Sequence, residues 1–373
     1  MPSTVAVVRC PSYDRGVVRE AVARVFGLIG GLGSIVTPGD RVLVKPNLLT
    51  ARAPDRATTT HPQVVEAVVE AVQAAGGKPV IGDSPGSTRD HIDRVWSETG
   101  VQRVSERTGA PLVNFEAGGS RRFELNGGVY YIARAALEAD LIINLPKLKT
   151  HSLTLFTGAV KNMFGVVPGF RKRETHLEHP RVEPFCRALV DIFSLVTPRV
   201  TLMDAVEGMD GDGPAAGRKR TVGLLLAGTD AVAVDAAAAM AVGLEPEKIH
   251  TCRQAAERGL GAAVPEDIEL AGDDLRETAV EPFQRPRSDL TRLVPTPLVH
   301  LLRRFIYTRP RIAAGRCTNC GTCVRHCPTG ALIADRPTPR FEPGRCISCL
   351  CCHELCPESA IELKWSLMAR MVP

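Results

Sequence analysis

Nine of the twelve cysteines in this 373-residue chain lie between Cys317 and Cys356. Eight of them repeat one spacing twice, Cys-x-x-Cys-x-x-Cys-x-x-x-Cys-Pro. This feature constrains the fold most, because each copy must hold three thiols in one tight loop and a fourth beyond a short turn. Chains that use so many cysteines for disulfides are short and secreted, and their cysteines are not confined to one end. The pattern therefore indicates metal ligation.

Thiolates in this number select zinc or iron–sulfur clusters. Zinc needs only two Cys-x-x-Cys pairs per ion, and the Cys-Pro endings have no role in such sites. The spacing instead predicts two 4Fe-4S clusters, in which the fourth cysteine of each copy ligates the other cluster. The predicted ligands are Cys317, Cys320, Cys323 and Cys356 for cluster one, and Cys346, Cys349, Cys352 and Cys327 for cluster two. Cys351 falls outside the pattern, and we expect it to be a buried thiol beside the ligands.

Residues 315 to 365 resemble bacterial two-cluster ferredoxins, and the resemblance implies electron transfer. Seven basic and five acidic residues lie between Gly315 and Pro373, whereas free ferredoxins tend to be acidic. A mildly basic module fits a built-in relay that receives electrons from an acidic donor protein, such as a ferredoxin, a flavodoxin or a reductase.

The first 275 residues alternate apolar strand patterns with helical ones, which is typical of βαβ units. We predict an α/β domain with a doubly wound, mainly parallel sheet, followed by a C-terminal α+β ferredoxin-like module. Strands are predicted at RVLVKPNLL, KPVIGDS, PLVNF, ADLIINLPK, RVTLMDAV and TVGLLLAG. Helices are predicted after an N-cap at Thr60 and at residues 88–99, 153–164, 183–196, 230–242 and 247–258.

The predicted domains are residues 1–275, a basic proline-rich linker at 276–314, and the cluster module at 315–373. Within the linker, HLLRRFIYTR has the pattern of a short amphipathic helix. The linker has few aromatic residues and no nucleic-acid-binding motif, so we expect no nucleic-acid partner. No apolar run is long enough to cross a bilayer, and the N-terminus lacks a secretion signal, which predicts a cytoplasmic protein without a transmembrane segment.

Unusual polar residues cluster where the predicted strands of the large domain end. Ligands of open α/β sheets bind outside the carboxyl ends of the strands, and several cations together can hold a carboxylate or phosphate. Any single lysine there is more simply explained as facing water. As a group, the residues predict a site for a small anionic organic substrate, bound by Lys45, Asn47, Asp83, Ser84, Lys147, Lys149 and Asn162. The predicted catalytic residues are His151, His176 and Lys161, with histidine as the proton donor because it titrates near neutral pH.

The stretches VLVKPNLL, INLPKLKTHSLTLFTGAVKNMFG and GTDAVAVDAAAA, among others, resemble the family called domain of unknown function 362. The resemblance covers about residues 5 to 250. It implies an α/β fold and an association with iron–sulfur proteins, and it implies no reaction. Asp204, Glu207, Asp210 and Asp212 are possible metal ligands, although the calcium-loop pattern is incomplete and a turn with solvated carboxylates is favoured. No strand–turn–helix context supports a nucleotide site.

The sequence thus predicts an iron–sulfur oxidoreductase that passes electrons from two 4Fe-4S clusters to an anionic substrate in the α/β domain. Two alternatives stay open: an electron carrier whose α/β domain docks a partner enzyme, and an iron–sulfur redox sensor. An enzyme requires a concave pocket near one cluster, lined by Lys149, His151 or Lys161, whereas a carrier requires a flat exposed patch. A homo-oligomer is compatible with the sequence.

Overall fold

The computed structural model describes residues 2–86, 92–278, 280–287 and 308–366. The strands of the large domain are β1 (Ser3–Arg9), β2 (Arg41–Pro46), β3 (Lys78–Asp83), β4 (Leu112–Asn114), β5 (Ser120–Leu125), β6 (Gly128–Ala133), β7 (Leu141–Leu145), β8 (Lys147–His151), β9 (Leu155–Thr157), β10 (Val200–Asp210), β11 (Arg218–Gly228) and β12 (Ile268–Gly272). The helices are α1 (Arg15–Leu28), α2 (Pro62–Ala74), α3 (Ile92–Glu98), α4 (Val101–Thr108), α5 (Arg134–Leu137), α6 (Ala159–Asn162), α7 (Gly169–Glu178), α8 (Val182–Leu195), α9 (Ala231–Ala241) and α10 (His250–Glu257).

Ten of these strands form one mainly parallel sheet, as predicted. Its order is β12-β1-β11-β10-β7-β2-β3-β4, and β8 pairs with both β10 and β9. Strands β2, β3, β4 and β7 run parallel to one another, and β11 runs antiparallel to β1 and β10. The hairpin of β5 and β6 stands apart from this sheet. The carboxyl ends of β2, β3 and β7 therefore meet at one edge.

Helices cover both faces of the sheet. Val42 and Val44 of β2 pack into one apolar cluster that includes α1 and α2, whereas Leu43 packs into another that includes α8 and α9. A strand buried on both faces has a continuous apolar run, which is what the sequence of β2 contains. The doubly wound arrangement follows from this.

Two local predictions are wrong. The cap of α2 is His61, whose ring accepts a hydrogen bond from the Gln63 amide, while the Thr60 hydroxyl donates to the Leu145 carbonyl oxygen. The predicted helix at 153–164 is the antiparallel strand β9 followed by the short α6. Leu155 has a φ of 71°, which no helix accommodates, and pairing with β8 outweighs the helical pattern there.

The helices predicted at 183–196 and 230–242 are confirmed within one or two residues at each end as α8 and α9. Asp230 caps α9 and accepts hydrogen bonds from the Val232 and Ala233 amides. Asp235, which is fully buried, accepts from the Ala159 and Val160 amides. Asp235 therefore caps α6, the helix that carries Lys161.

Two of the possible metal ligands are buried in ion pairs, so a turn of solvated carboxylates is wrong for them. The Asp210 carboxylate accepts hydrogen bonds from Arg218 and Arg220. The Asp204 carboxylate accepts from Tyr13 and Lys147. Both aspartates are fully buried.

The C-terminal module contains strands β13 (Thr308–Ile312), β14 (Leu332–Ile333), β15 (Arg340–Phe341) and β16 (Ile361–Trp365), and helices α11 (Thr322–Arg325) and α12 (Cys351–Leu355). Strand β13 pairs with β16, although its residues were assigned to the linker. The Phe283 amide donates to the Val242 carbonyl, so residues 280–287 pack on the large domain. Residues 88–91 of a predicted helix, and 300–307 of the predicted amphipathic helix, lie outside the described residues.

The two domains are joined by several contacts. The buried Arg52 guanidinium donates to the carbonyl oxygens of Ala215 and Cys356. His353 Nε2 lies 3.2 Å from the Asp212 carbonyl oxygen. Leu350 of the module is 6% exposed and packs into the core of the large domain. In the part of the chain that the structure describes, no helix has the length and apolar character to span a membrane.

Candidate functional site

The eight motif cysteines surround two separate cavities in the C-terminal module. One cavity is lined by Cys317, Cys320, Cys323 and Cys356, and the other by Cys327, Cys346, Cys349 and Cys352. These are the two cross-ligated sets that the spacing predicts, with the fourth cysteine of each motif in the other motif's cavity.

The two motifs share one backbone conformation. Asn319 and Gly321 in the first copy, and Ser348 and Leu350 at the same offsets in the second, have positive φ angles. These turns wrap each loop around its cavity. Backbone amides also point at sulfur: the Ala331 amide donates to Cys327 Sγ at 3.1 Å and the Ala360 amide to Cys356 Sγ at 3.2 Å. Such donors stabilise thiolates and tune a bound cluster, so the residues of both cavities fit a 4Fe-4S cluster.

A larger pocket lies between the two domains, with about 760 Å³ of empty space including its opening. The large domain contributes the ends of β2 and β3, helix α6 and helix α7. The module contributes His326, Cys351, Glu354 and Leu355. His326 precedes Cys327, and Cys351 lies between Cys349 and Cys352 in sequence. One wall of the pocket therefore adjoins the predicted ligands of cluster two.

An amide network forms the floor of the pocket. Lys149 Nζ donates to Asn47 Oδ1 at 2.7 Å and to the Thr58 carbonyl oxygen at 2.6 Å. Asn47 Nδ2 in turn donates to Asn162 Oδ1 at 3.0 Å. Burial and the neighbouring charge of Lys161 lower the pKa of Lys149 well below its usual value. The network fixes Asn47, Lys149 and Asn162 beside one another, as the sequence predicted for strand-end residues.

Asp83 and Ser84 also line the pocket, at the end of β3. Lys45 does not line it: its ammonium lies behind Asp83 and donates to that carboxylate at 2.8 Å. A Cβ at Gly165 would lie 2.0 Å from an Asp83 oxygen, so only glycine lets this backbone approach the ion pair. Lys45 therefore influences the pocket by binding Asp83 and through its charge.

Lysines and an arginine supply the positive charge of the pocket wall. Among the described residues, the Lys161 ammonium has no hydrogen-bond partner. Burial lowers the pKa of Lys161, and burial lowers the pKa of Lys172 to about 8. Lys172 donates to the Ser84 carbonyl oxygen, and Arg173 donates to the Arg325 carbonyl oxygen at 3.3 Å.

The two predicted catalytic histidines are buried and neutral at pH 7. Burial lowers the pKa of each to about 4, so neither titrates near neutrality as the sequence suggested. His176 lines the pocket and stacks on Phe185, with ring centroids 4.3 Å apart. His151 does not line it. Its Nδ1 accepts from the Leu153 and Thr154 amides, which leaves the proton on Nε2.

His151 Nε2 points to the other domain and lies 3.2 Å from Glu354 Oε1. The angle is too poor for a hydrogen bond, and neither atom has a hydrogen-bond partner among the described residues. Although burial opposes ionisation, interactions with His151, Lys161 and His176 favour the ionised carboxylate and hold the pKa of Glu354 far below its usual value. A carboxylate from the module thus enters the cationic group of the large domain.

Lys147 lies outside the pocket, contrary to its predicted role. It is buried, and its ammonium donates to Asp204 Oδ2 at 2.9 Å and to the Tyr13 hydroxyl. Side chains along a strand alternate between its two faces, so Lys147 and Lys149 of β8 lie on the same face. On that face the Lys147 ammonium binds the Asp204 carboxylate. The prediction ended the strand ADLIINLPK at Lys147 and gave no strand to the residues directly after it, so it could not assign Lys147 and Lys149 to one face.

Sequence reasoning missed several pocket residues, namely Phe164, Lys172, Arg173, His326 and Glu354. Lys172 and Arg173 lie in a basic run, FRKR, on α7. Their proximity to the carboxyl ends of the strands gave no signal in the sequence. Glu354 lies among the three unspecified residues between the last two cysteines of its motif, a spacing that places it beside the predicted cluster ligands.

Together the fold and the cysteine cavities define an iron–sulfur protein built on an α/β domain. Residues 42–240 match the family model described as "Domain of unknown function (DUF362)", and the chain belongs to this family. Residues 310–333 match the model of a 4Fe-4S binding domain.

Two known proteins are similar to the chain. A thylakoid-associated protein of Synechocystis sp. is 34% identical over 325 residues, which cover 85% of this chain and all of that protein. The lactate racemase apoprotein of Thermoanaerobacterium thermosaccharolyticum superposes with a TM-score of 0.41 and 15% identity, over 68% of this chain and 57% of the racemase.

Proposed function

We propose that the protein is an iron–sulfur reductase that binds a small anionic organic substrate in the pocket between its domains. One observation carries the proposal: the same pocket is lined by cationic side chains of the large domain and by Cys351 and His326, the sequence neighbours of cluster-two ligands. A flat exposed patch, which an electron carrier requires, is not what these residues form.

Each cavity would hold one 4Fe-4S cluster, and each cluster would supply one electron. Lys161 and Lys149 would bind the anionic group of the substrate by charge-assisted hydrogen bonds, with Asn47, Asp83, Ser84 and Asn162 orienting the rest. The protons that accompany the electrons would come from ammonium groups, because the buried histidines are uncharged at pH 7 and a neutral imidazole is too weak an acid to donate its N–H proton. Lys161 and Lys172, whose pKa values are lowered, suit this role.

The electron donor would be an acidic protein, and the protein would reside in the cytoplasm. The name of the Synechocystis relative makes membrane association the competing expectation. Cell fractionation distinguishes the two locations. Recovery of the protein with the membranes at physiological salt contradicts a freely cytoplasmic protein.

The test is to mix the anaerobically reduced protein with candidate carboxylic acids and to monitor reoxidation through the cluster absorbance. Lys161→Met should slow reoxidation at least tenfold, because a charge-assisted hydrogen bond is worth about 1.5–3 kcal/mol. Lys248→Met is the matched control, since Lys248 pairs with Glu245 on the surface and should leave the rate unchanged. Equal rates in wild type and Lys161→Met contradict the proposed substrate site.

A further inference from the structure

Glu354 has an environment that its own domain does not explain. It lies on α12 of the module, is 7% exposed, and lines the pocket with a carboxylate oxygen that makes no hydrogen bond among the described residues. Buried carboxylates are normally paired and hydrogen-bonded. Lys161 and Lys149 supply the positive charges for such a pairing, but they form no hydrogen bond with the Glu354 carboxylate.

The cations around Glu354 are those that an anionic substrate needs. The Lys149 and Lys161 ammonium groups interact electrostatically with the Glu354 carboxylate, and the uncharged His151 ring lies 3.2 Å from it. The other pocket carboxylate, Asp83, is already bound by Lys45 and by the Leu48 amide. Among the described residues, Glu354 is therefore the pocket carboxylate that lies beside Lys149 and Lys161 without a hydrogen bond to hold it.

The backbone of α12 does not depend on Glu354 for its position. Arg52 binds the Cys356 carbonyl, His353 contacts the Asp212 carbonyl, and Leu350 is buried in the large domain. Leu355 also packs against Gly86, where a Cβ would lie 2.5 Å from a Leu355 methyl group. The Glu354 side chain can consequently leave its site while the module stays in place.

We propose that the Glu354 carboxylate is an internal anion that occupies the cationic end of the pocket until the anionic substrate displaces it. The inference rests on the proposed function and identifies how its substrate site is regulated. Glu354 lowers the affinity for every anion and selects those that bind Lys161 well enough to replace a resident carboxylate. Because coupling is reciprocal, an anion in the pocket also weakens the contact between Glu354 and the large domain.

Calorimetric titration of the anaerobic, cluster-containing protein tests this, with sulfate as the probe anion and acetate as a second. Glu354→Gln, which keeps the shape and removes the charge, should bind the probe at least fivefold more tightly than wild type. Glu362→Gln is the control: it removes the same charge from an exposed pair with Arg316 in the same module, and its affinity should equal that of wild type. A residue that only holds the domains together predicts no gain of affinity.

The outcomes are distinct. Unchanged or weaker binding by Glu354→Gln overturns the displacement proposal and leaves the proposed anion site standing. Binding of the probes by neither protein contradicts the anion site of the proposed function itself. If Glu354→Gln does not retain its clusters, Glu354→Asp replaces it: the shortened carboxylate withdraws from His151, and affinity should rise by a smaller factor. Unchanged affinity in Glu354→Asp then counts against the proposal.

Discussion

Anion binding by the pocket should weaken as the pH rises through 8, because Lys172 loses its proton there. Burial lowers the pKa of this lysine to about 8. Among its charged neighbours, Asp83 raises the pKa, while Lys45 and Lys161 lower it. Below pH 8 the ammonium is present and attracts an anion, and above pH 8 the neutral amine does not.

The size of the effect follows from the protonated fraction. With a pKa of about 8, Lys172 is about nine-tenths protonated at pH 7 and about one-tenth protonated at pH 9. Affinity is proportional to the fraction of competent protein, so the dissociation constant should rise about tenfold between these pH values. Sulfate is a suitable probe because its own charge is constant over this range.

The assay is calorimetric titration with sulfate at pH 7, 8 and 9 and constant ionic strength. Lys172→Arg retains its charge throughout, since guanidinium does not deprotonate in this range, and should show a much flatter profile. An affinity for wild type that is equal at pH 7 and pH 9 excludes a titrating cation in the anion site. A decline of the same size in Lys172→Arg assigns the titration to another lysine and refutes the role of Lys172.

Three further predictions concern stability, each measured by anaerobic denaturant unfolding. Between pH 7 and pH 5, the free energy of unfolding of wild type should fall by about 2 kcal/mol relative to that of His176→Phe. The reason is that the pKa of this histidine is 6.5 in the unfolded state and about 4 in the folded state. A difference between the two proteins that does not change with pH contradicts this. Burial raises the pKa of Asp235 to about 7, so its effect on stability has the opposite pH dependence. Relative to Asp235→Asn, the free energy of unfolding of wild type should fall by about 2 kcal/mol as the pH rises from 5 to 7. A rise would show that the pKa of Asp235 is not higher in the folded state than in the unfolded state. Leu350→Ala should lower the free energy of unfolding by about 2–4 kcal/mol. Leu177→Ala, at a side chain 49% exposed, should leave it almost unchanged. Equal losses in the two variants would exclude Leu350 as the anchor between the domains.

The parts of the site that could be predicted are those governed by local spacing. The cysteine sets follow from the motif alone, and their two cavities contain the predicted residues. Asn47 and Asp83 line the pocket because carboxyl ends of parallel strands meet at one edge, and Lys149 and Asn162, which follow a predicted strand end, line it as well. That rule needs only the order of strands and turns along the chain.

The missed and misplaced residues depend on contacts between distant segments. Lys147 looked like a substrate ligand until the structure placed Asp204 opposite it in the register of β8 and β10. The low pKa values of His151 and His176 reflect burial in the folded chain, which composition does not reveal. Glu354 enters the pocket only because α12 docks on the large domain, a contact made by residues about 200 positions apart.

In the proposed reaction, reducing equivalents held by the cysteine module reach an anion bound between the domains. Its most direct measurement is a stopped-flow mixing of the anaerobically reduced protein with the acid that binds the pocket most tightly. We expect the protein to lose about two electrons per chain, at a rate that saturates with acid concentration and falls in Lys161→Met. Full occupancy of the pocket by the acid while the protein stays reduced would contradict it.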